Sequence, residues 1–221
     1  MPIPTEPIGS IPRPRELIDA MQQGLSPEKM KPLYERAVLD TIQRFEATGS
    51  PVITDGEQTK PSFVTYPIHG LETLAPGGVT IPFADGHTRQ LPRLTAGPFR
   101  YRTYAAAYLN EAKQHARVPV KQAVISVSAL SLLYPQSRLA GYSREQYLNA
   151  LITEQEGEIR RCLAKGAHVV QVDFTEGRLS IKLDPTRRLS DDTSRTRETA
   201  FDKIRARVAG TALASAVLGL E

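Results

Sequence analysis

The chain has 221 residues, an apolar fraction of 40% and a net charge of +4 from 28 basic and 24 acidic side chains. That length suffices for one domain with a sizeable core, and so small a charge excess argues against a nucleic-acid binder, which concentrates basic side chains on one face. No apolar run reaches the roughly 18 residues of a membrane span, and the single cysteine, Cys162, excludes an intramolecular disulfide and any metal site built on two cysteines of this chain. The first residues have neither a basic start nor an apolar h-region, so a cytoplasmic protein is expected.

Residues 4–8 are proline-rich and apolar and read as an extended strand that enters a loop at Ile8-Gly9-Ser10. A short helix follows over residues 15–23 and closes at Gly24. Ser26-Pro27 starts a second helix, with serine as N-cap and proline in the first turn. It runs to Thr48 and carries Leu33, Val38, Ile42 and Phe45 at a 3.6-residue period. Residues 51–54 read as a buried strand ending in Asp55-Gly56-Glu57, where Gly56 relaxes the backbone so that both carboxylates can turn toward a pocket.

Residues 60–97 read as loops and short strands, with a hairpin turn at Ala84-Asp85-Gly86-His87 between strands 79–83 and 88–94. A helix over 103–116 precedes an apolar strand at 121–127, and residues 126–134 form the loop at its carboxyl end. Ser143 and Gln146 make a capping box. The helix it opens turns Tyr147, Leu151, Ile152, Ile159 and Leu163 inward, with Cys162 as a small core residue, and ends at Gly166. A strand at 168–173 follows, and the last helix spans 193–218 with Phe201, Ile204, Val208 and Ala212 as its buried stripe. The dense run of charge over residues 187–207 alternates in sign and reads as a solvated helix face.

Alternating strands and helices predict βα units and a parallel sheet. The fold class is α/β, of the (β/α)8 barrel type, in one domain over residues 1–221. A complete barrel takes about 250 residues and eight strands. This chain offers four to five parallel strands, near 4–8, 51–54, 121–127 and 168–173, and a terminal helix. Residues 1–186 form the front of the barrel and 190–221 the terminal helix. An open barrel exposes strand edges and apolar faces, so self-association through those edges is expected.

In such sheets the residues just past the carboxyl ends of strands face the ligand. Here these are Ile8-Gly9-Ser10, Asp55-Gly56-Glu57, residues 126–134 with Tyr134, and Asp173-Phe174-Thr175-Glu176-Gly177-Arg178. Four carboxylates, amides, a hydroxyl, an aromatic and a cation suit a zwitterionic ligand. Asp173 and Glu176 are ligand contacts, or else cap a turn or pair with Arg178. Of the other two carboxylates, Asp55 is the better turn-former. Tyr134 is a stacking face for a planar ligand or a core aromatic. His69, His87, His115 and His168 have no metal-ligand spacing, and His168 is read as structural.

Ile8-Gly9-Ser10, Asp55-Gly56-Glu57, the run from Ser128 through Tyr134-Pro135 and Val170-Gln171-Val172-Asp173 occur in this order. Together they resemble the catalytic domain of cobalamin-independent methionine synthases, in a short single-domain branch of that family with an internal deletion. The resemblance implies a (β/α)8 barrel methyltransferase of methionine biosynthesis. It would transfer a methyl group from methyltetrahydrofolate to homocysteine, with zinc holding the thiolate and without cobalamin. It further implies that Ile8, Gly9 and Ser10 bind the homocysteine carboxylate, that Glu57 and the catalytic Asp173 hold its amino group, and that Glu176 and Tyr134 contact the folate. The family's zinc ligands, a His-x-Cys pair, a glutamate and a second cysteine, have no match here, so no metal residue is assigned. The alternative readings are a non-catalytic barrel fragment or amino-acid-binding protein and, behind it, a uroporphyrinogen-decarboxylase-like barrel enzyme.

Overall fold

The computed structural model describes residues 5–82, 88–174 and 197–220. In chain order it holds α1 (Arg15–Gln22), α2 (Pro27–Ala47), a 3-10 turn (Tyr66–Ile68) and four short strands: β1 (Leu74–Ala75), β2 (Thr80–Pro82), β3 (Thr88–Gln90) and β4 (Arg93–Leu94). Then come α3 (Ala106–His115), β5 (Gln122–Ile125), α4 (Val127–Ser131), α5 (Arg144–Ala164), β6 (Val170–Asp173) and α6 (Arg197–Val217).

The parallel layer is built from three segments. β5 and β6 pair in parallel, with Gln122 opposite Val170 and Ile125 opposite Asp173. On the other side of β5, Ile53 forms a parallel bridge to Val120. Its amide donates to the Pro119 carbonyl at 3.0 Å and its carbonyl accepts from Lys121 at 2.9 Å. Each step from one segment to the next passes through helix, as parallel neighbours require. The other strands lie apart as two antiparallel pairs, β1–β4 and β2–β3. The hairpin turn at residues 84–87 falls outside the described residues.

This is fewer parallel strands than the sequence predicts. Residues 5–8 form no strand. Pro7 lacks the amide that a ladder needs, and the Gly9 carbonyl accepts from the Thr54 side chain at 3.0 Å. Residues 51–54 contribute only the Ile53 bridge, because the Val52 carbonyl is occupied by the Ser50 hydroxyl at 2.7 Å. The expected loop at 126–134 begins instead as the short helix α4, capped by Ser126 Oγ accepting from the Ala129 amide at 3.2 Å.

Two apolar clusters hold the layers. One joins Tyr66, Leu94, Phe99, Val124, Tyr147 and Leu151 under α5, with Cys162 sealed inside it. The other joins Phe45 and Ile42 of α2, Leu109 of α3, Ile53, Val120 and Phe201 of α6. The capping box opens α5 as expected: Ser143 Oγ accepts from Gln146 N at 3.1 Å, and Gln146 Oε1 from Ser143 N at 2.7 Å. The stripe beyond it differs. Ile152 and Leu163 are 55% and 54% exposed, and the buried face continues from Tyr147 and Leu151 through Glu154, Gln155, Glu158 and Cys162. Those positions follow the helical period more closely, so polar side chains are carried into the interior. On α6, Phe201 and Ile204 are buried and Val208 half-buried, while Ala212 is exposed because the helix runs on past the core.

β6 has no further strand partner among the described residues, and Val169, Val172 and Phe174 along it are exposed. No helix is long and apolar enough to cross a membrane among the described residues.

Candidate functional site

The turn after Ile53 is a strained structure held from several sides. Asp55 Oδ1 accepts from the Glu57 amide at 2.9 Å, so Asp55 is the turn-former expected of it. Gly56 and Glu57 both adopt left-handed backbone, with φ of 64° and 57°. That conformation is uncommon for a residue with a side chain and persists only where the surroundings over-determine it. They do so here. Arg13 donates to the carbonyls of Gln58 at 2.9 Å, Glu57 at 3.2 Å and Lys60. Gln58 Nε2 donates to the Ile11 and Gly56 carbonyls at 2.8 and 3.0 Å. Arg197, the first described residue of α6, ties the Pro12 carbonyl at 2.8 Å to Asp40 and Thr41 of α2 at 2.6 and 2.7 Å.

The strain aims Glu57 at a buried ammonium group. Lys60 Nζ donates to Glu57 Oε1 and to the Ala123 carbonyl of β5, both at 2.9 Å, and lies 4.5 Å above the Tyr66 ring. Ala123 is in register with Gln171 of β6. Gln171 donates to Asp173 Oδ1 at 2.6 Å and accepts from Lys121 Nζ at 2.6 Å. Lys121 is buried and also meets Glu6 at 3.4 Å. Two polar chains therefore meet at β5, one running from Glu57 through Lys60 to the Ala123 carbonyl and the other from Glu6 through Lys121 and Gln171 to Asp173. Burial raises the Asp173 carboxyl above its ordinary range, and the charge of Glu57 adds to the effect against Gln171, Lys60 and Lys121. Burial likewise raises Asp55, opposed by Lys60, and its Oδ2 has no partner. Carboxylates outnumber cations along these two polar chains, which favours a cationic ligand group.

No family model and no curated protein matches the sequence. Solved structures do match. A B12-independent methionine synthase from Shewanella sp. W3-18-1, in complex with selenomethionine, superposes with a TM-score of 0.62 at 19% identity, over 78% of this chain and 52% of that one. A Listeria monocytogenes protein assigned as a vitamin-B12-independent methionine synthase gives 0.59 at 18% identity, over 95% of this chain and 61% of that one. The chain shares the fold of B12-independent methionine synthases. It spans between half and two thirds of the length of these two structures.

On this methionine-synthase-like fold the residues singled out in the sequence divide into groups. Glu57 and Asp173 come together as described. Gly9 is buried, and a Cβ there would lie 3.9 Å from Ala123 Cβ, so its backbone packs against the Ala123 side chain of β5. Ile8 is 84% exposed and Ser10 is also exposed. Tyr134 stands elsewhere, in a cleft of about 1000 Å³ with Leu132, Arg138, Leu139, Tyr142 and Gln146. Its hydroxyl donates to the Tyr142 carbonyl at 2.8 Å, and its ring sits 5.7 Å from Tyr147. One edge is thus core and the other lines the cleft. Glu176 and Arg178 lie outside the described residues. His168 is exposed and donates its amide to the Val120 carbonyl at 2.8 Å, which fits a structural role.

Several polar residues around the site have no counterpart in the sequence reading. Lys60, Lys121 and Gln171 are among them, and so are three residues of α5. Gln155 clamps the carboxyl end of β5, donating to the Ile125 carbonyl at 2.6 Å and accepting from the Val127 amide at 2.8 Å. Glu154 accepts from Tyr104 and from the Tyr101 amide. Glu158 is fully buried, accepts from Tyr66 at 2.8 Å and the Ala105 amide at 3.0 Å, and leaves Oε2 without a partner. The available signal was their helical spacing from Tyr147.

Burial raises the Glu158 carboxyl above its ordinary 4.5. The folded state therefore holds this proton more tightly than the unfolded chain. Where pH exceeds the ordinary value, the native state binds more protons, and stability falls as pH rises. Glu158→Gln keeps the Oε1 acceptor and removes the charge. Because the amide nitrogen is left as unpartnered as Oε2 was, only the buried charge is relieved; the variant should therefore gain stability relative to the parent at pH 8 and gain less at pH 4.5. Urea titrations at both pH values test this; a gain independent of pH would refute it.

Proposed function

We propose that this chain binds a zwitterionic amino acid of the homocysteine and methionine class, as the substrate-holding part of a methionine-synthase-type methyltransferase fold. The observation that carries the reading is Glu57, in a strained left-handed conformation and held to β5 through Lys60, with Asp173 held by Gln171 at the end of the adjacent strand. Strained backbone at a buried carboxylate is characteristic of binding sites. The excess of carboxylate suits an ammonium group. The Shewanella structure of the same fold carries selenomethionine, an amino acid of this class. In this reading Glu57 and Asp173 take the ammonium, and Ile8, Gly9 and Ser10 offer amides and a hydroxyl to the carboxylate. Tyr134 and Glu176 are retained only as the folate contacts that the resemblance implies.

A zinc-held thiolate does not fit the residues present. The sequence has no His-x-Cys pair. Cys162 is sealed in the core, where burial pushes its thiol up to about 12, whereas a zinc ligand must be thiolate. Among the described residues no three His, Cys, Asp or Glu side chains gather to hold a metal. This donor set favours a second reading, amino-acid binding without methyl transfer by this chain alone.

Calorimetry with L-homocysteine and L-methionine tests the shared part. Both should bind, and Glu57→Gln or Asp173→Asn should weaken them about tenfold or more, the worth of a hydrogen bond to a charged group. Silence from both amino acids at millimolar concentration would end the reading. Zinc retained stoichiometrically through dialysis would favour methyl transfer over binding alone.

A further inference from the structure

We propose that Lys60 is the positioning residue of the carboxylate pair: it fixes Glu57 against β5 and sets its positive charge beside Asp173 on the neighbouring strand, so that the two carboxylates can receive an ammonium ligand. The ligand half of this inference rests on the amino-acid reading above; the carboxylate half does not.

Lys60 is 1% exposed, and sequestering an ammonium group costs several kcal/mol unless its geometry is excellent. Here two donors are used at 2.9 Å, on Glu57 Oε1 and the Ala123 carbonyl, and the head group lies over Tyr66 with Tyr108 at 5.9 Å. A lysine needed only to neutralise Glu57 could do so from the surface. This one instead bridges the strained turn to the backbone of the neighbouring strand, opposite Gln171, the residue that holds Asp173. Its own carbonyl is fastened by Arg13, so the backbone of Lys60 is anchored as well as its head group. The field of Lys60 reaches Asp55, Glu158 and Asp173 and favours the charged form of each. Lys60 and Lys121 face four carboxylates, Glu57, Asp173, Asp55 and Glu6, so acidic groups outnumber the cations around an ammonium ligand.

The test uses carboxyl-labelled protein without ligand, followed by NMR across pH, beside methionine calorimetry at pH 6 and pH 8. Lys60→Met should move the Asp173 titration to higher pH. Its methionine affinity should be lost at a higher pH than that of the unaltered protein as pH is lowered, as expected when a carboxylate must first lose a proton. Lys60→Arg, which keeps the charge, should restore the titration. Should Lys60→Met not fold, Glu57→Gln/Lys60→Met removes both charges of the pair, and Asp173 is then compared with its titration in Glu57→Gln alone. An Asp173 titration that ignores Lys60 in the ligand-free protein overturns the proposal. A shifted titration in a protein that binds no amino acid upholds the hold on the carboxylates and overturns the ligand instead.

Discussion

Phe201→Ala should cost the fold about 3–5 kcal/mol, the usual range for emptying a buried aromatic site. Phe201 is fully buried and meets Phe45 of α2 edge-on at 5.3 Å between centroids. The guanidinium of Arg44 lies 4.6 Å above its ring and that of Arg197 5.5 Å. The cavity left by alanine would open into the cluster that holds Ile53 and Val120, where two of the three parallel segments begin. The ring is the largest apolar contact of α6, beside Ile204 and the polar ties Arg44–Glu198 and Arg207–Ser50, while the far end of the helix exposes Leu213 and Val217. Loss of the ring should therefore loosen α6 as a unit and release Arg197 from Pro12, Asp40 and Thr41. Urea unfolding reads both effects, as a lower midpoint and as a smaller denaturant slope from the reduced cooperative core. A cost under about 1 kcal/mol with an unchanged slope, no more than an ordinary surface change, would show that α6 is not part of that core.

What the sequence disclosed depended on how local the determining interaction is. The capping box of α5, the stripe on α2 and the Asx turn at Asp55 are set by residues within one or two turns of each other, and each is found where pattern and turn chemistry place it. The ordered motifs also led to a fold that solved methionine synthases share. Glu57 and Asp173 were legible because a carboxylate at the end of an apolar run is conspicuous. Lys60, Lys121, Glu154 and Glu158 were not. Taken alone each resembles a solvated side chain, and its burial depends on partners far along the chain. Lys60 needs a carbonyl 63 residues away and Glu158 a tyrosine 92 residues away. The missing fourth strand has the opposite cause. The apolar character of residues 5–8 suggests a strand, but pairing needs free amides, Pro7 has none, and the Thr54 side chain occupies the Gly9 carbonyl just beyond.

Gly56→Ala tests whether the turn creates the site. A Cβ at Gly56 would lie 2.6 Å from Thr41 Cγ2 and 3.3 Å from Ile11 Cβ, on a backbone with φ of +64°. The left-handed conformation costs an alanine about 1–2 kcal/mol, and overpacking a filled interior adds about 1–3 kcal/mol. Thr41 cannot yield freely, because its hydroxyl donates to the Ala37 carbonyl at 2.6 Å and accepts from Arg197 at 2.7 Å. The expected result is a destabilisation of about 2–5 kcal/mol, the sum of those two terms. Any relief of the clash must rotate the backbone at residues 56 and 57, which moves Glu57 away from Lys60 and breaks the 2.9 Å contact on which the carboxylate pair depends. Thr41→Ser separates the two effects. It removes the Cγ2 methyl and keeps the hydroxyl, so it should recover part of the lost stability in a Gly56→Ala background while leaving the φ penalty. If Gly56→Ala kept full stability and full amino-acid affinity, the left-handed turn would be incidental, and the geometry that presents Glu57 would have to come from Arg13 and Gln58 alone.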